Sequence, residues 1–324
     1  PLADEEGVKS IVVDTIAGLW DMVNNLTRLE PTSRERYRVT IFCSARLEPG
    51  SAVYNDVKHI ARDLAERGCD IISGGDPRPG TGLDAGGLPA ITWQAIPGGE
   101  VALEIPASGL WQGLRDRLRG GHRFPVEPFH MARHPVTVAQ WRPFLKAADG
   151  YDALVRRPLG WEPDPQRGRD NQPAAWVTWI EAMAYCDWLS ARLGCEVRLP
   201  TEWQWQQAAS GGDSTRTYPW GEWEEGRANT IESELGRTTA VGLYPHGGSA
   251  QGVLDLAGNV WEWCLNQYEA PANVGRGGEA RRVVRGGSWF GGSAFARCAY
   301  RLDYLPGGRF SSLGFRLVCV SPIP

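Results

Sequence analysis

The sequence predicts an α+β domain of short strands and long loops, preceded by a short α/β segment. Three observations carry this. Two stretches of helical spacing, one opening at Thr137 and one running from Thr178 to Leu193, sit among many short strand-like runs, which is the pattern of an α+β arrangement. The 324 residues include 40 Gly and 15 Trp outside any repeat, so large rings are expected to pin long, irregular connections and reach local hydrogen-bond partners. Ahead of these, residues 38–75 read as strand, helix and strand, the order of a β-α-β unit.

Taken in order, residues 8–28 place Val8, Ile11, Val12, Ile16, Leu19, Trp20, Val23 and Leu26 at three- and four-residue intervals. This predicts an amphipathic helix, packed on its own domain or docked to a partner. Arg38–Arg46 reads as a strand and turn, Val53, Val57, Ile60, Ala61 and Leu64 as a helix, and Gly68–Gly75 as the closing strand. Pro77 to Gly87 is rich in Pro and Gly and marks a boundary. The domains expected are therefore 1–85, the α/β segment, and 86–324.

In the second part, Ile91–Val101 is a strand, a Pro-Gly-Gly turn and a second strand, and Phe124–Ala132 continues the sheet. Thr137 is placed as the cap of the first helix, residues 150–175 as a polar Pro/Arg loop, and Gly194 as the stop of the second helix. Val197–Ala209 caps and begins a third.

Composition narrows the function. Apolar content of 42%, charged content of 22% and a formal net charge of -4 describe an ordinary globular chain with no electrostatic footprint for nucleic acid. No apolar run approaches a bilayer span, and Pro1–Glu6 has no signal-like character. Seven Cys are dispersed without a C-x-x-C pair, which favours reduced thiols and a cytoplasmic compartment. The chain starts without Met, so an upstream signal is kept as an open alternative.

The C-terminal end is the most informative stretch. Arg282–Trp289 and Leu313–Val318 alternate apolar and basic residues around Gly pairs, as half-buried strands do. Between them, Phe290–Phe295, Leu302–Leu305 and Phe310–Ser312 mix large apolar side chains with Gly, Ser and Asp and show no period. The reading is a binding surface held between two strands.

Two resemblances follow. Residues 38–75 are similar to the opening of the nucleotide-binding domain of lysine decarboxylase-like proteins, which implies a phosphate cradle at Ser44, Ala45, Gly74 and Gly75; the rest of that domain is missing, so a truncated structural or oligomerisation element is preferred to a nucleotide sensor. Arg198-Leu199-Pro200-Thr201-Glu202-Trp203, Tyr218-Pro219-Trp220-Gly221, Asp255–Trp263, Arg285–Trp289 and Gly314-Phe315-Arg316 occur in the order found in the formylglycine-generating enzyme (sulfatase-modifying factor) domain. With Ile96–Glu100 and His134–Thr137 the match spans about residues 90–319. It implies an irregular C-type lectin fold. It also implies structural Ca²⁺ held by Asp255, the backbone of Gly258 and Val260, and Glu262, with a second site matching Asn229 and Thr230 and with Glu232 or Glu234 as its acid; hard oxygen donors suit that ion. The alternative is that Asn259 and Glu262 satisfy groups of a Trp-pinned loop.

Enzymes of that family hold copper on a Cys pair after the Gly-Gly-Ser-aromatic motif. Here Ser293 falls at the nearer position and Cys298 matches a non-catalytic Cys, so no copper and no catalysis are expected; a copper- and oxygen-dependent oxidase, or a degenerate form of one, is the alternative. What remains resembles the variable proteins of diversity-generating retroelements, in which adenine-directed mutagenesis rewrites Asn codons between fixed Gly-Gly-Ser-Trp and Gly-Phe-Arg frames. The residues from Phe290 to Ser312 include no Lys, Glu, Gln, Met or Trp, the residues such codons cannot reach. The resemblance implies a receptor-like protein with a variable region at about 286–316, binding a ligand expected to be a protein through Phe290, Gly291, Gly292, Ser293, Phe295, Leu302, Asp303, Tyr304, Leu305, Phe310, Ser311 and Ser312. Trp289, Tyr300, Arg301, Pro306 and Arg309 are expected to fix the frame, with Phe295 and Leu302 as candidates to turn inward.

Overall fold

The computed structural model describes residues 38–41, 70–73, 82–103, 122–155, 170–213 and 215–320. The chain divides into two units, Pro1–Gly75 and Asp76–Pro324. In the first, strands β1 (Arg38–Ile41) and β2 (Asp70–Ser73) pair in parallel, Arg38 opposite Asp70. A parallel pair requires a crossover between its strands, as the β-α-β reading demands. The helices expected over 8–28 and 53–64, and the cradle residues Ser44, Ala45, Gly74 and Gly75, lie outside the described residues.

The second unit holds two four-stranded sheets. One is ordered β3 (Trp93–Ile96), β6 (Phe129–Ala132), β12 (Val318–Cys319), β7 (Val197–Arg198). The other is ordered β10 (Arg301–Tyr304), β9 (Arg282–Arg285), β8 (Trp261–Gln267), β11 (Leu313–Gly314). Strands β4 (Gly99–Leu103) and β5 (His122–Val126) form a separate antiparallel pair. The runs on either side of Pro97 therefore join different partners, β3 pairing with β6 and β4 with β5, whereas one continuing sheet was expected. The last strand, β12, lies between β6 and β7 and closes the domain.

Three helices start at matching signals. Helix α1 (Val138–Lys146) is capped by Thr137 and Gln140, α3 (Trp179–Leu193) by Thr178 and Glu181, and α4 (Glu202–Ser210) by Thr201 and Gln204, each a reciprocal capping box worth on the order of 1 kcal/mol. Helix α3 stops at Gly194, whose φ of 66° is the left-handed conformation expected of it. A further helical turn, α2 (Tyr151–Leu154), occupies the start of what was expected to be loop, because Tyr151 buries its ring against Phe144. Helix α3 buries Met183, Ala184, Trp188 and Leu189, as their helical spacing leads one to expect, together with Trp179, Ala182, Tyr185 and Cys186, but Ile180, at the same spacing, is 52% exposed.

Rings dominate the core between α1, α3 and the C-terminal strands. Trp141, Phe144, Tyr185, Trp188 and Phe315 pack ring against ring. Tryptophan N–H groups tie distant loops: Trp179 Nε1 donates to Cys264 O and Trp263 Nε1 to Val177 O, both at 2.8 Å. No helix among the described residues is long and apolar enough to cross a membrane.

Candidate functional site

The frame around the C-terminal segment is held by ion pairs buried in the core. Its basic residues were expected on half-buried strands; instead all four residues of β9 are buried, Arg282 and Arg285 included. The reason is that their charges are met inside. Glu202, the first residue of α4, accepts from Arg285 Nη1, Arg301 Nε and Arg301 Nη2, each at 2.8 Å. Glu262 on β8 accepts from Arg316 Nε and Nη2 at 2.6 Å and from Trp205 Nε1 at 2.7 Å. Glu181, already part of the α3 cap, accepts from Arg309 Nη1 at 2.8 and 2.9 Å and from the Tyr151 hydroxyl. Arg282 has no such acid among the described residues; its guanidinium lies 4.0 Å from the Trp179 ring and donates to Leu265 O at 3.0 Å. Each acid comes from the scaffold and each paired arginine from residues 285–316, so the pairs stitch that segment down. Buried charges are tolerated when paired or hydrogen-bonded in these ways.

Glycine completes the frame. Gly286 and Gly287 have φ of 94° and 72°, and a Cβ on Gly287 would lie 3.0 Å from the Ala296 backbone. A Cβ on Gly314 would lie 2.6 Å from Ala174 O. These positions accept no side chain.

The twelve expected binding positions lie between these fixed parts, and none of them is buried. Phe290 is 70% and Leu305 54% exposed, and Phe295 and Phe310 are exposed as well. Phe295, a candidate to turn inward, instead stands edge-on to Tyr300 at 5.1 Å. Leu302 and Tyr304 do pack partly against the core, because residues 301–304 form strand β10 beside β9, where no period predicted a strand. Asp303 on that strand pairs with Arg281.

Residues 291, 293, 310 and 312 are held through their main chain. Gly291 O accepts from Ile231 N at 3.0 Å, Phe310 O from Trp176 N at 3.0 Å, and Ser312 O from Trp261 N at 2.8 Å. Ser293 N donates to Glu232 at 2.7 Å, and Ser293 O accepts from the Tyr218 hydroxyl at 3.2 Å. Bonds of this kind are indifferent to the side chain borne by the residue. Gly291 and Gly292 lie outside the left-handed region, and a Cβ on Gly292 would make only ordinary contacts, the nearest at 3.5 Å.

The calcium expectation meets a different arrangement. Both oxygens of Glu262 are engaged by the Arg316 guanidinium and the Trp205 N–H, and a cation already stands where calcium would have to bind. Asp255 Oδ2 accepts from Gly242 N. Gly258 N donates to Gly286 O at 2.7 Å, a close main-chain contact, and Val260 is buried in the core. At the second set, the Asn229 amide donates to Arg237 O at 3.0 Å while its oxygen accepts from Ser233, and Thr230 is buried beside Glu232. Among the described residues no three His, Cys, Asp or Glu converge as a metal site. The Glu262 carboxylate, held by a guanidinium, satisfies buried groups of the loop, and Asn259 does the same by accepting from Thr239 N at 3.0 Å.

The copper expectation turns on two residues of the C-terminal segment. Ser293, which the resemblance sets at the nearer catalytic position, carries a hydroxyl and not a thiol. Cys298 is buried, and burial pushes its thiol up to about 12, so it stays protonated at neutral pH. The Cys264 thiol, also buried, is held well above its usual range by the same cause.

Four residues that border the face escaped the sequence reading in this role. Trp176, Ile180 and Ile231 are exposed, and Glu232, considered only as a metal ligand, caps Ser293. Ile180 stands at core spacing with Met183 and Ala184, and nothing local announces that Trp176 adopts φ of 61°.

Residues 91–320 match the model of the Sulfatase-modifying factor enzyme 1-like domain. The chain belongs to that family. Among relatives of this sulfatase-modifying factor domain, it is 34% identical to serine/threonine-protein kinase pkn1 of Chlamydia pneumoniae, over 68% of this chain and 36% of the kinase. It is 36% identical to the formylglycine-generating enzyme of Streptomyces coelicolor, over 68% of this chain and 87% of that enzyme. The chain thus spans about a third of the kinase's length, and the activity in that name belongs to the kinase. Among solved structures, Treponema denticola variable protein 1 superposes with a TM-score of 0.53 at 21% identity, over 71% of this chain and 95% of that one. The fold is the C-type lectin-like α+β fold of the sulfatase-modifying factor family.

Proposed function

We propose that this chain is a non-catalytic binding protein whose C-terminal face, carried on residues 286–316, is diversified at Phe290, Gly291, Gly292, Ser293, Phe295, Leu302, Asp303, Tyr304, Leu305, Phe310, Ser311 and Ser312 to recognise varied protein ligands. The observation that carries the reading is the contrast within one short segment. Arg285, Arg301, Arg309 and Arg316 are locked by acids of the scaffold, while the twelve positions between them are exposed or half-exposed and held chiefly through main chain. A surface can then be rewritten without disturbing the fold that presents it.

Absence of catalysis rests on the donor set. A copper-dependent oxidation needs thiolates that can reach a metal, and residues 286–316 offer a hydroxyl at Ser293 and one buried, protonated thiol at Cys298. The ligand side follows from composition: exposed Phe290, Phe295, Leu305 and Phe310 are large anchors of low conformational entropy, and Gly and Ser leave room for a partner.

The test is genetic. DNA encoding residues 286–316 is compared with its locus, and the reading expects a near-copy, differing at adenines, beside a reverse transcriptase gene. A locus with neither leaves a binding domain of fixed specificity.

A further inference from the structure

The replaceable positions fall into two groups held by different parts of the scaffold. Residues 290–295 lie against the segment 229–233. Ile231 N donates to Gly291 O at 3.0 Å, and Glu232 Oε1 accepts from Ser293 N at 2.7 Å. Ser293 opens the short 3₁₀ turn Ser293–Ala296, whose own cap position, Gly292, has no capping side chain. An N–H at the start of such a turn needs an acceptor from elsewhere, and Glu232 supplies it from 61 residues away. Among the described residues no cation pairs with Glu232. Arg297, exposed at the end of the same turn, donates to Ala294 O at 2.9 Å.

Residues 305–312 lie against the entry to α3. Trp176 N donates to Phe310 O and Trp179 N to Pro306 O, both at 3.0 Å. Arg309 Nη1 reaches the Glu181 carboxylate at 2.8 and 2.9 Å, and Glu181 is fixed in turn by the Thr178 N–H and hydroxyl at 2.8 and 2.9 Å. Tyr304, on β10, joins this group through its ring, 4.6 Å from that of Phe310.

Between the groups the chain passes through buried Ala296, Cys298 and Arg301, the last locked to Glu202. Among the described residues no hydrogen bond and no ring contact joins a replaceable position in 290–295 to one in 302–312. At the border, constant Trp289 Nε1 approaches Ser311 O at 3.5 Å, longer than an ordinary hydrogen bond.

Resting on the binding-face reading above, we infer that the face is presented as two separately held halves, with Ile231 and Glu232 the positioning residues for 290–295 and Glu181 the positioning residue for 302–312. Loosening one hold releases one half and leaves the other in place, because sites that share no partner act additively. Each half then contributes its own share of affinity whatever the other carries, and replacements in one put no constraint on the other.

Amide exchange of the full chain, read by mass spectrometry over residues 286–316, tests the division. Ile231→Pro removes the donor to Gly291 O at the first residue of the 3₁₀ turn Ile231–Ser233, entered from an extended Thr230 of φ -125° and ψ -178°, a position that proline accepts. Glu232→Ala removes the acceptor for Ser293 N at an exposed residue. Glu181→Gln keeps an acceptor for the α3 cap and removes the charge that holds Arg309. Arg309→Gln breaks the same pair from the loop side and is read alongside, so a lowered Tm in Glu181→Gln does not decide the result. The expected result is exchange about tenfold faster in 290–296 alone for the first two variants, about tenfold faster in 305–312 alone for the other two, and the sum in a variant combining Glu232→Ala with Arg309→Gln. Exchange that rises in both halves with any one substitution overturns the division, and exchange that rises in neither overturns the positioning roles.

Binding is measured separately. Cyclic peptides selected by display against the unaltered chain are sorted by whether they lose affinity with Phe290→Ser or with Phe310→Ser. Peptides of the first kind are expected to weaken about tenfold with Glu232→Ala and to be unmoved by Arg309→Gln, and those of the second kind the reverse. Peptides that weaken equally with Glu232→Ala and Arg309→Gln contradict the division and leave the binding face standing. A selection that yields no peptide, or only peptides indifferent to both serine substitutions, overturns the binding-face reading, whatever the exchange shows.

Discussion

Arg301 and Glu202, 99 residues apart in sequence, meet as a two-point pair inside the domain, Nε to Oε1 and Nη2 to Oε2, each at 2.8 Å. Arg285 shares the same carboxylate. Removing Glu202 therefore strands two buried guanidinium groups at once. Glu202→Ala is expected to cost at least as much as breaking one buried pair, about 3–5 kcal/mol, and Arg301→Lys to cost less but still destabilise, since an ammonium cannot span both oxygens. Urea unfolding of the two variants checks the order; equal and small losses would show the pair to be idle.

The Arg316–Glu262 pair leads to a second expectation. With both carboxylate oxygens engaged, millimolar Ca²⁺ or a chelator is expected to leave the Tm of the protein unchanged, whereas Arg316→Ala lowers it sharply. A Tm that rises with Ca²⁺ would contradict the assignment of Glu262 to Arg316.

The glycines separate frame from face. Gly287→Ala combines a positive φ with a Cβ crowding the Ala296 backbone, and Gly314→Ala meets Ala174 O; each is expected to destabilise by more than about 1 kcal/mol. Gly292→Ser is expected within about 0.5 kcal/mol of the parent, as for an ordinary surface change. Denaturant midpoints of the three variants decide it, and a Gly292→Ser loss matching that of Gly287→Ala would remove the distinction.

Cysteine chemistry gives a pH-dependent expectation. Burial raises the folded-state pKa of Cys298 from 9.0 to about 12. Above pH 9 the unfolded chain releases that proton and the folded chain does not. The group's contribution to stability is therefore full below pH 9 and falls as pH climbs towards 12. Peptide mapping after alkylation at pH 8 is expected to leave Cys298 unlabelled in the folded protein and labelled in urea. Rapid native labelling would return a reactive thiol to the candidate site.

Legibility in the sequence followed the range of the interactions. Thr137, Thr178 and Thr201, each followed three residues later by Gln, Glu and Gln, announce helix starts because both halves of a capping box are local, and the motifs from Arg198 to Arg316 announce the fold. Arg285 was misread, and the partner of Glu262 went unseen, for the opposite reason. A charge on a strand normally faces water, and a Glu in a tight loop resembles a metal ligand; only the fold brings Glu202 to Arg285 and Arg316 to Glu262, across 83 and 54 residues. Strand β10 escaped because Leu302, Asp303 and Tyr304 are all half-buried and show no alternation of apolar and polar residues, while its pairing with β9 depends on backbone alone. Ile180 misled because it has the right spacing for the core of α3 and yet is exposed.

The central claim is that side chains at the twelve positions are dispensable to the fold that displays them. It is tested most directly by a library in which those positions are randomised together while residues 285–288, 301, 309 and 313–316 are kept, with foldedness of each member read by protease resistance. The account predicts that most members resist protease as the parent does, and that a matched library randomising the kept residues instead is almost entirely digested. Equal sensitivity of the two libraries would contradict it, because the face would then be part of the core that the frame was thought to supply alone.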